Sequence, residues 1–420
     1  MENNILKIGI IGLGTVGTGV VKALSKFGNI EITKAAVRDK NKKREVEVKY
    51  LTDNPYEIVN DPDIDAVVEV AGGINPCFDL IKTAIKNKKH VVTANKELLA
   101  KCGDEIFSLA NENNVTVLYE AAVAGGIPII GPVKTTLRGN EFNKVTGILN
   151  GTTNYILTEM EENNLSYEEC LKKAQDLGYA EADPTNDVEG FDTMYKIAIL
   201  SNIVFHKKID CTKIYREGIT KISKEDIKYA DELGYKIKLL GIAQNTEDKK
   251  LLDIRVHPVL VKKDSMIAKI NNAINTVLLE GYPVGQVMFT GQGAGEAPTA
   301  SSVAGDILAI AAEISYTDTI LPSSRVVTEE KADLEDILNT RNSYFISINA
   351  KNSLGTIGAI GTVCAENNIN LQSILQKGIK EDNTASIVVI TEVSLEADIQ
   401  KAVQKLNERG IKISNLIRVI

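Results

Sequence analysis

ILKIGIIGLGTVGTGVVKAL occupies residues 5–24, and its reading decides the fold. The first residues are apolar and rich in isoleucine, the composition of a buried strand. Gly12, Gly14 and Gly17 follow, and then the apolar spacing becomes helical. A strand that passes through G-x-G-x-x-G into a helix suits a dinucleotide. Gly12 permits the tight turn, Gly14 lets the backbone approach a pyrophosphate, and Gly17 lets helix and strand pack closely. Thr15 and Val16 stand between them at the helix N-terminus, where backbone N–H groups attract phosphate.

Strand and helix patterns keep alternating after this turn: EITKAAVR, DAVVEVAGG, the helical DLIKTAIKNK, KHVVTANK, a helix around ELLAKCGDEIFSLANEN, then VTVLYEAAVAGG. This predicts an α/β fold with a doubly wound parallel Rossmann sheet over residues 1–130. Ligands of such sheets lie beyond the carboxyl ends of the strands. Gly72 and Gly73, Thr93 to Lys96, and Glu120 to Gly126 therefore share one rim. After the second strand, where an acid would hold a ribose hydroxyl, Arg38 comes first, followed by Asp39 and the basic cluster Lys40, Lys42, Lys43 and Arg44. An arginine here favours NADP. Asp39 keeps NAD open, and a solvated basic loop is the plainer reading of the cluster.

The rest of the chain sets limits. Its 420 residues exceed what one core supports, so two or three domains are expected. A net charge of −8 leaves no basic footprint for nucleic acid. Five cysteines without paired spacing read as reduced thiols of a cytoplasmic protein, and three dispersed histidines make a structural zinc site a poor reading. The start lacks the pattern of a signal peptide, and no apolar run reaches the roughly 18 residues of a membrane helix. His206 and His257 read as packing or capping residues.

Strict alternation stops near Pro128. NGTTN, Asn150 to Asn154, sits between apolar segments, where Thr152 and Thr153 could cap a helix or the turn could face a pocket. Further on, EADPTNDVEGFDTMYK, residues 181–196, holds five carboxylates and one lysine, and FDTMYKIAILSNIVF after it is apolar nearly all round. Such a helix is buried. Lys196 then needs a charge partner, which Asp192 one turn earlier can supply. An ion pair locking the helix is one reading. A proton donor to a reacting oxygen is the other. Beside a dinucleotide site the second suggests carbonyl reduction, because hydride addition leaves alkoxide character on oxygen. The remaining acids suit a substrate amine.

GLGTVG, TANKELL, EAAVAGGIPII, LNGTTNYIL, GYAEADPTNDVEGFDTMYKIAIL and GQGAGEAPTASSVAGDI, in this order, resemble homoserine dehydrogenase, and the likeness covers about residues 1 to 325. It implies NAD(P)H-dependent reduction of L-aspartate 4-semialdehyde to L-homoserine, on the route to threonine and methionine. It also implies that Lys196 donates the proton beside Asp192, that Glu181 binds the substrate amine with Asp187 in support, and that Lys96 lies near nicotinamide and substrate. Thr93 belongs to the same cofactor rim. Glu120, Val123, Gly125 and Ile127 fall where the family holds a monovalent cation, usually sodium, largely by backbone carbonyls. The GQGAGEAPTASS segment would return to the nucleotide domain at about 291–325 and wall the cofactor with Gly293 and Gly295; close helix packing explains its small residues equally well.

Residues 131–290 then form a mixed α+β substrate and dimerisation domain, with KKLLDIRVHPVLV as a strand and DIKYADELGYKIKLLGIAQ as a helix. A charged helical patch, TEEKADLEDILNTRNS, leads to a βαββαβ tail over residues 341–420. The tail resembles an ACT domain, a regulatory module that binds amino-acid effectors. Its ligand loop departs from the family's Asp-x-Pro-Gly, reading Asn352-Ser-Leu-Gly355, so regulation and subunit joining are both open. Self-association as a homodimer or homotetramer is expected. The alternatives are a different Rossmann-type amino-acid oxidoreductase and a non-catalytic amino-acid sensor. A semialdehyde dehydrogenase working through acyl transfer would need a cysteine beside a histidine, and no cysteine here has that setting.

Overall fold

The computed structural model describes residues 5–316, 330–379 and 383–420. The chain forms two compact units. One takes the residues up to Leu149 together with Met194–Lys213 and Ile274–Ala332; the other takes Asn150–Thr193, Ile214–Ala273 and Asp333–Ile420.

The first unit is built on a six-stranded parallel sheet. In space its strands run Leu51–Thr52, Ile30–Ala36, Leu6–Ile11, Ala66–Glu69, His90–Thr93 and Val117–Leu118. Numbered along the chain that order is 3-2-1-4-5-6, the dinucleotide-binding order, whose direction reverses between Leu6–Ile11 and Ala66–Glu69. Ile8, Ile10, Val67 and Val68 are fully buried, as strands covered on both faces require. The helix Glu296–Tyr316 packs on the glycine-turn helix Thr15–Leu24. Gly19 makes the approach possible, since a Cβ there would meet Glu296 and Ala300 at 2.8–2.9 Å. Glu141–Ile148, Ile274–Tyr282 and Gly285–Gln292 add an antiparallel array to this unit.

The second unit holds the antiparallel pair Tyr235–Asn245 and Leu252–Lys262. Leu252–Lys262 pairs in parallel with the final strand Lys412–Val419, through Val259 opposite Arg418 and Leu260 opposite Val419. Lys412–Val419 is in turn part of the tail: Arg341–Lys351, helix Thr356–Glu366, Leu371–Ile379, Thr384–Thr391, helix Glu396–Glu408, Lys412–Val419. The expected βαββαβ order is therefore present, and its sheet continues the sheet of the preceding domain.

Three expectations about local structure need correction. DIKYADELGYKIKLLGIAQ is not one helix: the helix is Lys224–Glu232 and the rest belongs to the strand Tyr235–Asn245. Gly234, at φ +85°, ends the helix, and the alternation Tyr-Lys-Ile-Lys-Leu then selects strand. The charged patch before the tail has one 3-10 turn, Ile337–Asn339, before the strand Arg341–Lys351 begins; Thr328 and Glu329 lie outside the described residues. VTVLYEAAVAGG is a strand only at Val117–Leu118, after which Glu120–Ala122 turns as 3-10 helix. The end of the return segment expected at about 325 also lies outside the described residues. Among the described residues no helix is long and apolar enough to cross a membrane.

Candidate active site

The glycine turn of the first unit carries the expected geometry. Gly12 adopts φ +100°, and a Cβ on it would come within 2.8–2.9 Å of the Val70–Ala71 backbone, at the point where the strand order reverses. A Cβ on Gly17 would collide with the Gly12 carbonyl, whereas one on Gly14 would meet nothing within 4 Å. The turn is therefore closed on its protein side and open at Gly14, as a backbone that receives a pyrophosphate must be. Gly14 caps the helix without a side chain, and Thr15 and Val16 open its first turn. The residues fit a dinucleotide. Arg38 is exposed just past the second strand. Asp39 is engaged locally, its carboxylate accepting from Asn41 N at 2.8 Å and its carbonyl from Arg44 at 2.6 Å.

Glu69, unremarked among the apolar residues of its strand, organises the rim. It is fully buried, accepts from Ala71 N and Gly72 N at 2.9 Å, and accepts from the Thr93 hydroxyl at 2.7 Å. Gly72 and Gly73 both take φ +78° in the loop so held. Asn95 ties that loop to the next, donating to the Gly73 carbonyl at 2.6 Å while its oxygen caps the helix Lys96–Asn113. Lys96 is the first residue of that helix and is half-buried. Burial, with the Glu69 carboxylate adding to it, pushes the Cys77 thiol up to about 12, away from the thiolate a nucleophile needs.

Glu120 faces inward too, yet its carboxylate is committed to the backbone. It accepts from Ile129 N, Ile130 N and Gly131 N at 2.6–2.7 Å. A cation here would be left with backbone carbonyls. Of these, Gly125's accepts from the Ser302 hydroxyl at 2.7 Å, and each carbonyl keeps a second lone pair. Val123 and Ile127 are buried beside it. Gly125, at φ +52°, abuts the Gly293 backbone, so the GQGAGE segment lies against this turn; Gly295 adopts φ +118° just before the helix Glu296–Tyr316.

Phe191–Phe205 is one helix, as its apolar pattern predicts. Lys196 retains 7% of its exposure, and its Nζ donates to the Leu149 carbonyl at 2.7 Å. Leu149 ends the segment that follows the strand Glu141–Ile148 and is itself fully buried.

In the second unit, Asn150 opens the NGTTN turn, for which the sequence leaves a helix cap and a pocket-facing turn both open. It, and not Thr152 or Thr153, caps the helix Gly151–Asn163, its Oδ1 accepting from Thr153 N at 2.8 Å. Its Nδ2 donates to Asp187 at 2.6 Å and to Asp192 at 2.9 Å. Asp192 is 4% exposed and Asp187 half-buried. Thr152 donates to the Tyr179 carbonyl at 2.6 Å, which anchors the approach to Glu181. Glu181 is exposed, and its carbonyl accepts from Gln175 at 3.1 Å. Arg216 holds the other end of the acid-rich loop, donating to the Glu189 carbonyl and stacking 3.5 Å over the Phe191 ring.

Residues 128–308 match the family model of homoserine dehydrogenase, residues 12–120 that family's NAD-binding domain, and residues 344–410 the ACT domain. A homoserine dehydrogenase of Synechocystis is 42% identical, with 99% of this chain and 99% of that one covered. That of Bacillus subtilis is 39% identical, covering 96% and 95%. The chain belongs to the homoserine dehydrogenase family. The crystal structure of the Thiobacillus denitrificans homoserine dehydrogenase superposes with a TM-score of 0.93 at 38% identity, covering 99% of this chain and 98% of the other. A hyperthermophilic archaeal homoserine dehydrogenase, solved in complex with NADPH, shares the fold at 24% identity and a TM-score of 0.63, covering 75% of this chain and 99% of that one. The protein is thus an oxidoreductase with an NAD(P)-binding Rossmann domain and an ACT domain.

The first unit also holds a separate cavity. That cavity, of about 330 Å3, is lined by Lys101, Asp104, Asn202, Lys208 and Lys331 among others and includes none of the predicted site residues.

Proposed function

We propose that the chain reduces L-aspartate 4-semialdehyde to L-homoserine with Lys196 as the proton donor. The observation that carries this reading is the buried Lys196 ammonium held on the Leu149 carbonyl. The nucleotide would be held by Gly12, Gly14, Thr15, Val16, Gly17, Thr93, Gly293 and Gly295, and when bound in reduced form it supplies the hydride. Lys196 does the rest at the aldehyde oxygen: its positive charge stabilises the negative charge that develops there, and its ammonium delivers the proton. Asp192, one helical turn before it, favours the protonated lysine between turnovers. Glu181 and Asp187 receive the substrate amine, and Lys96, at a helix start on the cofactor rim, steadies the reacting end.

Exposed Arg38 supports a preference for NADPH over NADH, because a guanidinium pairs with a 2′-phosphate. A sodium ion would sit on the carbonyls of Glu120, Val123, Gly125 and Ile127, since the Glu120 carboxylate is already committed. The ACT domain would take an amino-acid effector beside Asn352–Gly355, where Ser353, Thr356 and Gln376 line a cavity of about 200 Å3. Assembly as a homodimer or homotetramer in the cytoplasm belongs to the same reading. The deciding assay follows nucleotide absorbance with the semialdehyde and either NADPH or NADH. Turnover that needs the aldehyde supports the proposal; no turnover with either nucleotide rejects it.

A further inference from the structure

Asp187 and Asp192 both approach the same buried amide. Two carboxylates brought to one side chain repel, so their directions must be held. Asn150 holds both. Its amide has two N–H bonds and aims one at each acid, 2.6 Å to Asp187 and 2.9 Å to Asp192. The amide cannot be turned around, because its oxygen accepts from Thr153 N at 2.8 Å as the helix cap. Every hydrogen-bonding position of that side chain except one oxygen lone pair is therefore used, in a residue only 5% exposed. The residue before it, Leu149, accepts from Lys196 through its carbonyl. Consecutive residues thus hold the proton donor and the acid one turn ahead of it, one by backbone and one by side chain.

We infer that Asn150 is a positioning residue for the reduction: a double donor that fixes the directions of Asp187 and Asp192 together. Asp187 is then aimed at the substrate amine, and Asp192 keeps one orientation on the helix that carries Lys196. This inference rests on the function proposed above. A plain helix cap needs only the oxygen of Asn150, and serine or aspartate caps equally well. The amide nitrogen is what capping does not explain.

Asn150→Ser and Asn150→Asp separate these roles, since both keep the cap and neither keeps two donors. Asn150→Ser should lower kcat/KM for the semialdehyde about 10- to 100-fold, mostly through KM, and leave the NADPH Kd unchanged. Asn150→Asp places a third carboxylate against Asp187 and Asp192. It should lose more at pH 8 and recover toward wild type near pH 6, where a shared proton restores one donor. Asn150→Ser should show no such recovery. Wild-type rates for both variants, or equal losses with identical pH profiles and a matching fall in Tm, would overturn the inference. If Asn150→Asp does not fold, the kcat/KM and Kd of Asn150→Ser decide alone. Failure of the broader reading looks different, because the wild-type enzyme itself would then not turn over the semialdehyde.

Discussion

The Lys196 Nζ lies 2.7 Å from the Leu149 carbonyl oxygen, a neutral acceptor at the end of a buried segment. That partner orients the ammonium without neutralising it. Removing a lysine kept only to lock the helix should cost stability more than rate.

Lys196→Ala should lower turnover of the semialdehyde by about 100-fold or more, with NADPH binding near normal by fluorescence titration. Lys196→Arg should not rescue it, since a guanidinium does not give up its proton readily and carries a different geometry. Wild-type turnover in Lys196→Ala would remove this residue from the chemistry.

Arg38→Ala should reduce the ratio of kcat/KM for NADPH to that for NADH by about tenfold, the value of one charge-assisted contact. The rate with NADH should barely change. An unaltered ratio would mean that Arg38 belongs to a solvated loop and does not read the nucleotide.

Lys238 offers a test by pH. It is 1% exposed on the strand Tyr235–Asn245 and donates to Ile270 O at 2.6 Å, to Asn154 Oδ1 at 3.1 Å and to Asn271 Oδ1 at 3.2 Å. Burial, with neighbouring Lys236 adding to it, brings its pKa down from 10.5 to about 8. The folded state therefore sheds this proton at a pH where the unfolded chain still holds it. Its contribution to stability is full above about 10.5, falls as pH drops toward 8, and is lowest below that. The Tm of wild type minus that of Lys238→Met should accordingly rise between pH 8 and pH 10, by calorimetry. A flat difference would show that the amine is charged throughout.

Arg418 and Glu396, each 1% exposed, form an ion pair at 2.8 Å in the second unit. Tyr344 donates to Glu396 at 2.9 Å, and Arg418 also reaches Glu217 at 2.9 Å and Tyr215 at 3.1 Å. Arg418→Met should destabilise by about 3–5 kcal/mol, because it leaves the Glu396 charge buried. The double variant Arg418→Met, Glu396→Met should recover part of that loss in denaturant titrations. Equal losses would mean that the pair is not coupled.

The parallel sheet and its glycine turn could be read from residues 5–24 because strand burial, turn and helix each leave a different spacing in sequence. The lysine helix was legible for the same reason: Phe191–Phe205 has too few polar residues to face water. Asn150 was not legible, since an asparagine before a helix already has an adequate explanation and its acids come 37 and 42 residues later. Glu69 sits in AVVEVAGG, where one acid at the end of an apolar run resembles a strand leaving the core. Lys238 and Arg418 occupy alternating strands, where a charged residue normally marks the solvent face. Only their buried partners, far along the chain, reveal otherwise.

The parallel seam between Leu252–Lys262 and Lys412–Val419 makes the C-terminal module part of the scaffold of the preceding domain. Along that same edge, Leu252–Lys262 also pairs with Tyr215–Arg216, the short strand whose Arg216 grips the acid-rich loop at Glu189. Shearing the module away would bare an apolar strand edge and invite aggregation. Conversely, a small slide of Lys412–Val419 has a direct mechanical route toward the clamp on that loop, with no hinge or linker to absorb it.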